Sequence, residues 1–333
     1  MRCFEHQQLR DVATTSASNM PKISSQHSPI CVESVINGHP RNDLLLRKSN
    51  RRIFLSSNVV AMASLGFPGY SAAASPFRFA TTPVFLNDQV SLLGRWQRYL
   101  EAQVNRPVRF VQRGSYREIV ELLLSNEVDA AWLCGYPLVL NEKRLSALAV
   151  PTYNGAALYR SHLVVPDADT TTRTVFDLKN KVFAYSDPLS NSGFLVPRSE
   201  IQMKGQDAAT FFKRTFFTFS HRKVIEAVRA GLADAGAVDG YVWDTLSEQF
   251  PSSVAGLRVA WRSQPHGFPP IVTRKNLGSA NEKILLGAFL SMSTNDAGRE
   301  ILKQLNIDGF TEARADQFSS IRQMLKYSSN KTS

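Results

Sequence analysis

Hydrophobic and polar positions from residue 75 onward follow two different periods. Between residues 116 and 124 the apolar residues recur at the spacing of one helix face, whereas short apolar runs such as 182–185 are typical of buried strands. These patterns predict strands at 77–80, 108–111, 129–133, 145–150, 158–165, 182–185, 215–219, 234–238 and 257–262. They predict helices at 90–104, 116–124, 194–203, 221–230, 240–249, 280–292, 297–304 and 312–326.

This order of elements indicates the fold class. Strands that alternate with helices predict parallel sheets covered by helices on both faces. The chain after residue 75 is long enough for a two-lobed α/β body with a cleft between the lobes. Ligands of such sheets lie at the carboxyl ends of strands, so the turns after the strands are the places to search for a site.

The first 74 residues have a different character. Basic residues precede an apolar stretch at 53–67, and small residues follow it at 71–74. This order is typical of a secretory signal peptide, and Arg51-Arg52 resembles the twin-arginine export motif, although a Sec signal fits as well. We expect residues 1–74 to be an N-terminal extension and signal peptide, and the rest to be periplasmic. A buried N-terminal helix is the alternative.

Charge and cysteine content narrow the function further. Without residues 1–74 the net charge falls from +11 to +7, which is compatible with an anionic ligand and equally with a role in solubility alone. The basic residues do not form runs interleaved with aromatic residues, so a nucleic acid partner is not expected. Cys134 is the only cysteine after the signal, which excludes an intrachain disulfide there, and no Cys/His cluster has metal-ligand spacing. No cofactor is predicted.

The turn after the strand at 182–185 is the strongest candidate for a site. Ser190, Asn191, Ser192 and Gly193 stand there, directly before a predicted helix. Small polar residues at a helix start leave backbone N–H groups free to bind an oxyanion without a cationic side chain. The alternative is an ordinary helix cap with no ligand.

Four segments resemble one protein family. They are 183–198, with its Ser-Asp-Pro-x-Ser-x-Ser-Gly-x-Leu-Val-Pro core, 221–238, 116–131 and the crossover tyrosine segment 159–161. In this order they are similar to the periplasmic phosphate/phosphite/phosphonate-binding proteins of ABC importers. The likeness covers nearly all of 76–310. Asn191 stands where that family usually has threonine.

The resemblance implies a type II periplasmic binding protein: two α/β lobes, parallel-rich sheets with helices on both faces, and an interlobe cleft. Residues 75–160 plus 265–333 would form lobe I, and residues 161–264 lobe II. The implied function is to capture a small phosphorus oxyanion and deliver it to an ABC permease. The expected state is a monomer that is not an enzyme.

The same resemblance implies a set of ligand-binding residues. The two tyrosines would donate phenol O–H bonds from lobe I, the serine–asparagine loop and the histidine would donate from lobe II, and the aspartate would accept from a ligand's amine. Each has a purely structural alternative, such as core packing for the tyrosines and helix capping for the aspartate. The implied residues are Tyr116, Tyr159, Ser190, Asn191, Ser192, His221 and Asp239.

Other functions stay open at this point. An enzyme, such as a hydrolase or synthase, or a sensor domain could share the fold. The chain carries no G-x-S-x-G, H-E-x-x-H or Walker motif, which speaks against the common hydrolases. A receptor for another ligand, such as a sulfonate or a thiamine precursor, is the third alternative.

Overall fold

The computed structural model describes residues 75–82 and 90–329, which fold around two β-sheets. Within these two ranges no helix combines the length and the hydropathy that crossing a membrane requires. The predicted extension and signal peptide, residues 1–74, lie outside the described residues.

The strands agree closely with the hydrophobic runs. Their bounds are β1 Phe77–Thr81, β2 Val108–Gln112, β3 Ala130–Trp132, β4 Leu145–Thr152, β5 Leu158–Tyr159, β6 Ser161–Pro166, β7 Val182–Tyr185, β8 Arg214–Phe217, β9 Ala235–Asp239, β10 Leu257–Arg262, β11 His266–Gly267, β12 Ile271–Arg274 and β13 Gly309–Glu312. The α-helices are α1 Val90–Val104, α2 Tyr116–Leu124, α3 Gly135–Leu140, α4 Val196–Met203, α5 His221–Arg229, α6 Gly240–Gln249, α7 Ser279–Leu290, α8 Asp296–Leu305 and α9 Ser319–Ser329.

The two sheets use different parts of the chain. The first has the order β13-β4-β12-β3-β1-β2 and the second has the order β10-β6-β9-β7-β8, while β5 and β11 pair as a separate ribbon. The chain therefore passes from the first sheet to the second beside β5 and returns beside β11. The lobe boundaries predicted after residue 160 and before residue 265 lie next to this ribbon and stay a prediction.

Strand direction places two loops side by side. β7 pairs in parallel with β8 and β9, whereas β6 runs antiparallel between β9 and β10. In the first sheet β1 is parallel to β2 and β3, and β12 is antiparallel to both β3 and β4. The sheets are thus mixed, with a parallel part in each. The carboxyl ends of β7 and β9 lie at one edge of the second sheet. Residues 190–193, here called the serine loop, follow β7 at this edge, and Asp239 is the last residue of β9.

Most predicted elements are present, and one needs correction. The predicted helix over 312–326 is wrong in its first half, because β13 ends at Glu312 and α9 begins only at Ser319. Phe310 explains the strand: its ring packs 4.8 Å from that of Phe289 and 6.1 Å from that of Trp132 while its backbone pairs with β4. The short helix α3 and the strands β11, β12 and β13 were also missing from the prediction.

Candidate functional site

The serine loop forms a capped helix start at the end of β7. The Ser190 hydroxyl accepts a hydrogen bond from the Gly193 backbone N–H at 3.0 Å, so the cap that was the structural alternative is present. A π-helical turn, Asn191–Leu195, leads into α4. Ser190, Asn191 and Ser192 are at most 1% exposed. The loop is therefore a buried element of the structure.

Gly193 allows this loop to lie against the second sheet. A Cβ at this position would be 1.9 Å from the Ser186 hydroxyl and 3.1 Å from the Ala237 carbonyl oxygen. Contacts this short exclude every residue with a side chain unless the strands move. The Ser161 hydroxyl also donates to the Ser192 carbonyl oxygen at 2.7 Å, which fixes the loop from the β6 side.

Asn191 joins the loop to residues outside the second sheet. Its backbone N–H donates to the Cys134 Sγ atom at 3.2 Å, and its side-chain Nδ2 donates to the Tyr159 hydroxyl at 3.0 Å. Burial raises the pKa of the Cys134 thiol to about 11, so the group is a neutral thiol near neutral pH. Sequence reasoning considered Cys134 only for disulfides and metals. Its position shortly after β3 was the available signal for a role at the site.

His221 has a defined tautomer. Its Nδ1 accepts a hydrogen bond from the Asp239 backbone N–H at 3.1 Å, so the ring proton must reside on Nε2. Nε2 lies 3.4 Å from the Tyr116 phenol oxygen. Complete burial lowers the His221 pKa to about 3, so the imidazole is a neutral donor near neutral pH.

Asp239 caps α6, and among the carboxyl groups of the site it has the pKa furthest from the ordinary value. Its Oδ1 accepts from the Tyr241 N–H at 2.9 Å, which confirms the capping alternative. Burial raises the pKa of the Asp239 carboxyl to about 8. The electrostatic influence of this carboxyl reaches Tyr116, Cys134 and Tyr159, so it belongs to the same cluster.

Tyr116 links the first sheet's helix α2 to the serine loop. Its backbone N–H donates to the Asp187 Oδ2 atom at 3.2 Å, and Asp187 Oδ1 accepts from the Leu189 N–H at 2.7 Å. Asp187 thereby satisfies one of the free N–H groups at the start of α2. The sequence indicates only that Asp187 belongs to the turn after the strand at 182–185. Its position after a parallel strand was the available signal.

A small cavity lies among these residues. Its volume is about 10 Å³, room for about one water molecule, and its wall is polar only in part, with no lysine or arginine among the lining residues. The lining residues are Thr82, Tyr116, Trp132, Leu133, Cys134, Asp239, Tyr241, Phe268 and Pro269. Two of the seven predicted residues, Tyr116 and Asp239, therefore line the cavity directly.

The other five predicted residues do not line the cavity, and three of them lie behind its wall. His221 touches Tyr116 and Asp239, Asn191 touches Cys134, and Tyr159 touches Asn191. Ser190 and Ser192 are not part of the lining. The Ser192 hydroxyl and the Asn191 side-chain oxygen are buried without a hydrogen-bond partner. Such buried polar atoms are costly unless something satisfies them.

Comparison with known proteins places the chain in one family. Residues 79–318 match the family model described as the periplasmic substrate-binding protein of phosphonate ABC transporters. The phosphonates-binding periplasmic protein of Escherichia coli K12 is 26% identical over 246 residues, covering 71% of this chain and 72% of its own length.

Solved structures share the fold. The crystal structure of a binding protein of a phosphonate ABC transporter from Pseudomonas aeruginosa has a TM-score of 0.68 at 23% identity and covers 75% of this chain and 85% of its own. PhnD1 from Prochlorococcus marinus, solved in complex with methylphosphonate, has a TM-score of 0.68 at 21% identity and covers 75% and 97%. The aliphatic sulphonate-binding protein of E. coli is more distant, with a TM-score of 0.55. These neighbours have the two-lobed fold that the sequence implied.

Proposed function

Because the chain belongs to the family of periplasmic substrate-binding proteins of phosphonate ABC transporters, we propose that it binds a small phosphorus oxyanion in the cavity beside Tyr116 and Asp239. The observation that carries this proposal is the buried cluster of neutral donors around the cavity. The Tyr116 phenol lines the cavity, and the Tyr159 phenol and the His221 imidazole lie behind its wall. The bound ligand would pass unchanged to an ABC permease.

Neutral donors suit this ligand. A hydrogen bond to a charged acceptor contributes about 1.5–3 kcal/mol, and it is shorter and stronger than a bond between neutral groups. Burial raises the pKa of the Tyr116 and Tyr159 phenols well above 10.0, so both keep their protons. The site thus offers O–H and N–H hydrogens without placing a fixed positive charge in a dry cavity.

Asp239 narrows the ligand class. A carboxylate beside an oxyanion would repel it, whereas the protonated carboxyl can donate a hydrogen bond. Its pKa of about 8 makes the protonated form the major one at neutral pH. An ammonium group on the ligand would instead favour the carboxylate. The cavity of about 10 Å³ has room for about one water molecule, so the two lobes must separate before phosphite, methylphosphonate or an aminoalkylphosphonate can enter.

In the site without ligand, the Cys134 thiol accepts a hydrogen bond that a ligand oxygen could accept instead. The donor is the Asn191 backbone N–H, and a thiol sulfur is a weak acceptor. A charged ligand oxygen is a much stronger acceptor. We expect the ligand to take over this N–H, so that the donor at the helix start is held in position at low cost until the ligand arrives.

The proposal is tested by calorimetry on the chain that begins at Ser75, with phosphate, phosphite, methylphosphonate, aminoethylphosphonate and sulfate. At least one phosphorus oxyanion should bind with a single site, and sulfate should bind more weakly. Phosphorus NMR of the mixture should show the ligand chemically unchanged, as a receptor requires. Binding of sulfate alone, or turnover that stops in His221→Gln, would contradict the proposal.

The reactivity of Cys134 should report closure of the two lobes. The thiol is only 5% exposed, and Asn191 and Asp187 contact residues that belong to the first sheet or its loops. If only an opened molecule reacts with maleimide, ligand at 100 times its Kd should slow labelling by about 100-fold. The control is labelling in denaturant, which the ligand should not affect. An unchanged rate under saturating ligand would show that binding does not favour closure.

Export is the remaining part of the proposal. It rests on the basic, apolar and small-residue order of residues 47–74 and on the periplasmic family. The N-terminus of the secreted chain, determined by mass spectrometry, should lie within a few residues of Ser75. A cytoplasmic chain that retains Met1 would contradict it.

A further inference from the structure

The C-terminal segment packs tightly on the ribbon between the two sheets. This segment, residues 315–329, is here called the strap; it comprises a short 3-10 turn, Ala315–Phe318, and α9. A Cβ on Gly267 of β11 would lie 2.5 Å from the Gln317 carbonyl oxygen. A close approach of this kind requires glycine and leaves no room for the strap to shift toward the ribbon.

The strap also contacts both sides of the site. α9 packs against α3, which follows the first sheet's β3, and against α4, which follows the serine loop. A Cβ on Gly135, the residue after Cys134, would lie 2.7 Å from the Ile321 Cδ1 atom. Phe318 and Ile321 are 2% and 0% exposed. The strap therefore buries one face, at Phe318 and Ile321, behind the cavity wall, and its other face is exposed.

One polar contact runs from the strap into the ribbon. The His266 Nδ1 atom and the Ser320 hydroxyl are 2.9 Å apart, and the other ring nitrogen of His266, Nε2, is buried without a partner. Ser320 is thus the one hydrogen-bond partner that the described residues offer the imidazole. Because the ring has this single anchor, loss of the Ser320 hydroxyl would leave both ring nitrogens buried and unpaired.

His266 lies directly against a ligand residue. It pairs with Tyr159 across the antiparallel ribbon, and the two rings meet edge to face, with centroids 6.5 Å apart at 65°. Directly opposed residues of this kind restrict each other's orientation. The Tyr159 hydroxyl accepts from Asn191 on its far side. A continuous line of contacts therefore joins Ser320, His266, Tyr159 and Asn191.

We propose that Ser320 and His266 are positioning residues for ligand binding: the strap orients the His266 ring, and that ring holds the Tyr159 phenol toward the cavity wall. The two residues act through Tyr159 and do not touch the ligand themselves. This inference rests on the proposed function, in which Tyr159 supplies a donor. It gives the strap a role in affinity that its distance from the cavity lining would not suggest.

The test compares Ser320→Ala with Ser319→Ala, a neighbouring exposed serine, and with Ser320→Thr, which keeps a hydroxyl. For the tightest ligand of the calorimetric panel, Ser320→Ala should raise Kd roughly three- to tenfold, the scale of one neutral hydrogen bond. Ser319→Ala and Ser320→Thr should stay within about twofold of wild type. In a Tyr159→Phe background the Ser320→Ala change should have almost no further effect, because the phenol it acts through is gone.

A second readout needs no ligand. In protein labelled with fluorotyrosine, the fluorine signal that disappears in Tyr159→Phe belongs to Tyr159, and Ser320→Ala should shift or broaden it while Ser319→Ala should not. If wild type binds none of the phosphorus oxyanions, the proposed function fails and this signal still tests the strap. The inference is overturned if the signal does not respond to Ser320→Ala, or if Ser320→Ala weakens binding equally with and without the Tyr159 hydroxyl.

Discussion

Ser192→Ala is expected to weaken ligand binding by roughly 1.5–3 kcal/mol, the scale of a hydrogen bond to a charged group, without lowering the thermal stability of the free protein. The Ser192 hydroxyl is buried without a well-formed hydrogen bond, although its interaction with the Tyr159 phenol acts to lower the pKa of that phenol. Removing an unsatisfied buried polar group does not cost stability. A ligand oxygen that satisfies this hydroxyl would lose that bond in the variant.

Ser190 is the matched control, two residues away in the same loop. Its hydroxyl already caps the helix start by accepting from the Gly193 N–H. Ser190→Ala should therefore lower the free energy of unfolding by about 0.5–2 kcal/mol, the usual cost of losing such a cap. Calorimetric Kd values and melting temperatures of both variants separate the two roles. If Ser192→Ala binds as tightly as wild type, the oxyanion lies in the cavity away from this loop.

The second large effect concerns Asp239 and pH. Above pH 8 the wild-type Kd for methylphosphonate should rise about tenfold per pH unit relative to that of Asp239→Asn, because binding then requires the carboxyl to take up a proton. This follows from the burial that raises the Asp239 pKa to about 8. The ligand's own ionisation is the same in both proteins, so the ratio of the two Kd values isolates Asp239.

Aminoethylphosphonate supplies the opposite case. Its ammonium group can pair with the Asp239 carboxylate, so wild type should bind it more tightly than Asp239→Asn, and this advantage should grow as pH rises toward 8 and stay constant above it. Calorimetry of both ligands between pH 6 and 9 gives the comparison. A ratio of wild-type to variant Kd that does not change with pH for either ligand would show that Asp239 does not contact the ligand.

The same carboxyl affects the stability of the free protein. Its pKa is 3.8 in the unfolded reference and about 8 in the fold, so folding takes up a proton between these pH values. The contribution of Asp239 is therefore most favourable below pH 3.8 and is lost as pH rises toward 8. The buried His221, with its pKa lowered to about 3, acts in the opposite sense below pH 6.5. The difference in the free energy of unfolding between wild type and Asp239→Asn at each pH cancels the His221 contribution, because both proteins contain His221.

Local patterns predicted a large part of the fold. The helix over 116–124 follows from its periodicity alone, and its buried positions include Ile119, Val120 and Leu123 as that periodicity requires. α1, α6 and β10 have the predicted bounds. These elements have signals within a few residues of themselves, such as the aspartate that caps α6.

β13 and α3 show where local patterns were insufficient. Phe310 is in a strand because β4 offers it backbone partners and because Phe289 and Trp132 cover its ring, and these residues are distant in the sequence. Gly135–Leu140 is too short for a periodic pattern to be visible. For β13 the deciding interactions are non-local, so no window of sequence contains them.

The candidate site, like the fold, has some features that the sequence predicts and others that only tertiary contacts decide. By itself the sequence determined the order of most strands and helices, the loop that contains Gly193, and the family resemblance that assigned seven residues to the ligand. Only the tertiary structure decided that Cys134 accepts from Asn191, that Asp187 caps α2, that the His221 proton is on Nε2, and that Ser320 anchors the ring beside Tyr159. The physical reason is that hydrogen-bond partners and burial depend on which distant segments meet. Those contacts also set the pKa of each buried group, and with it the charge that a ligand encounters.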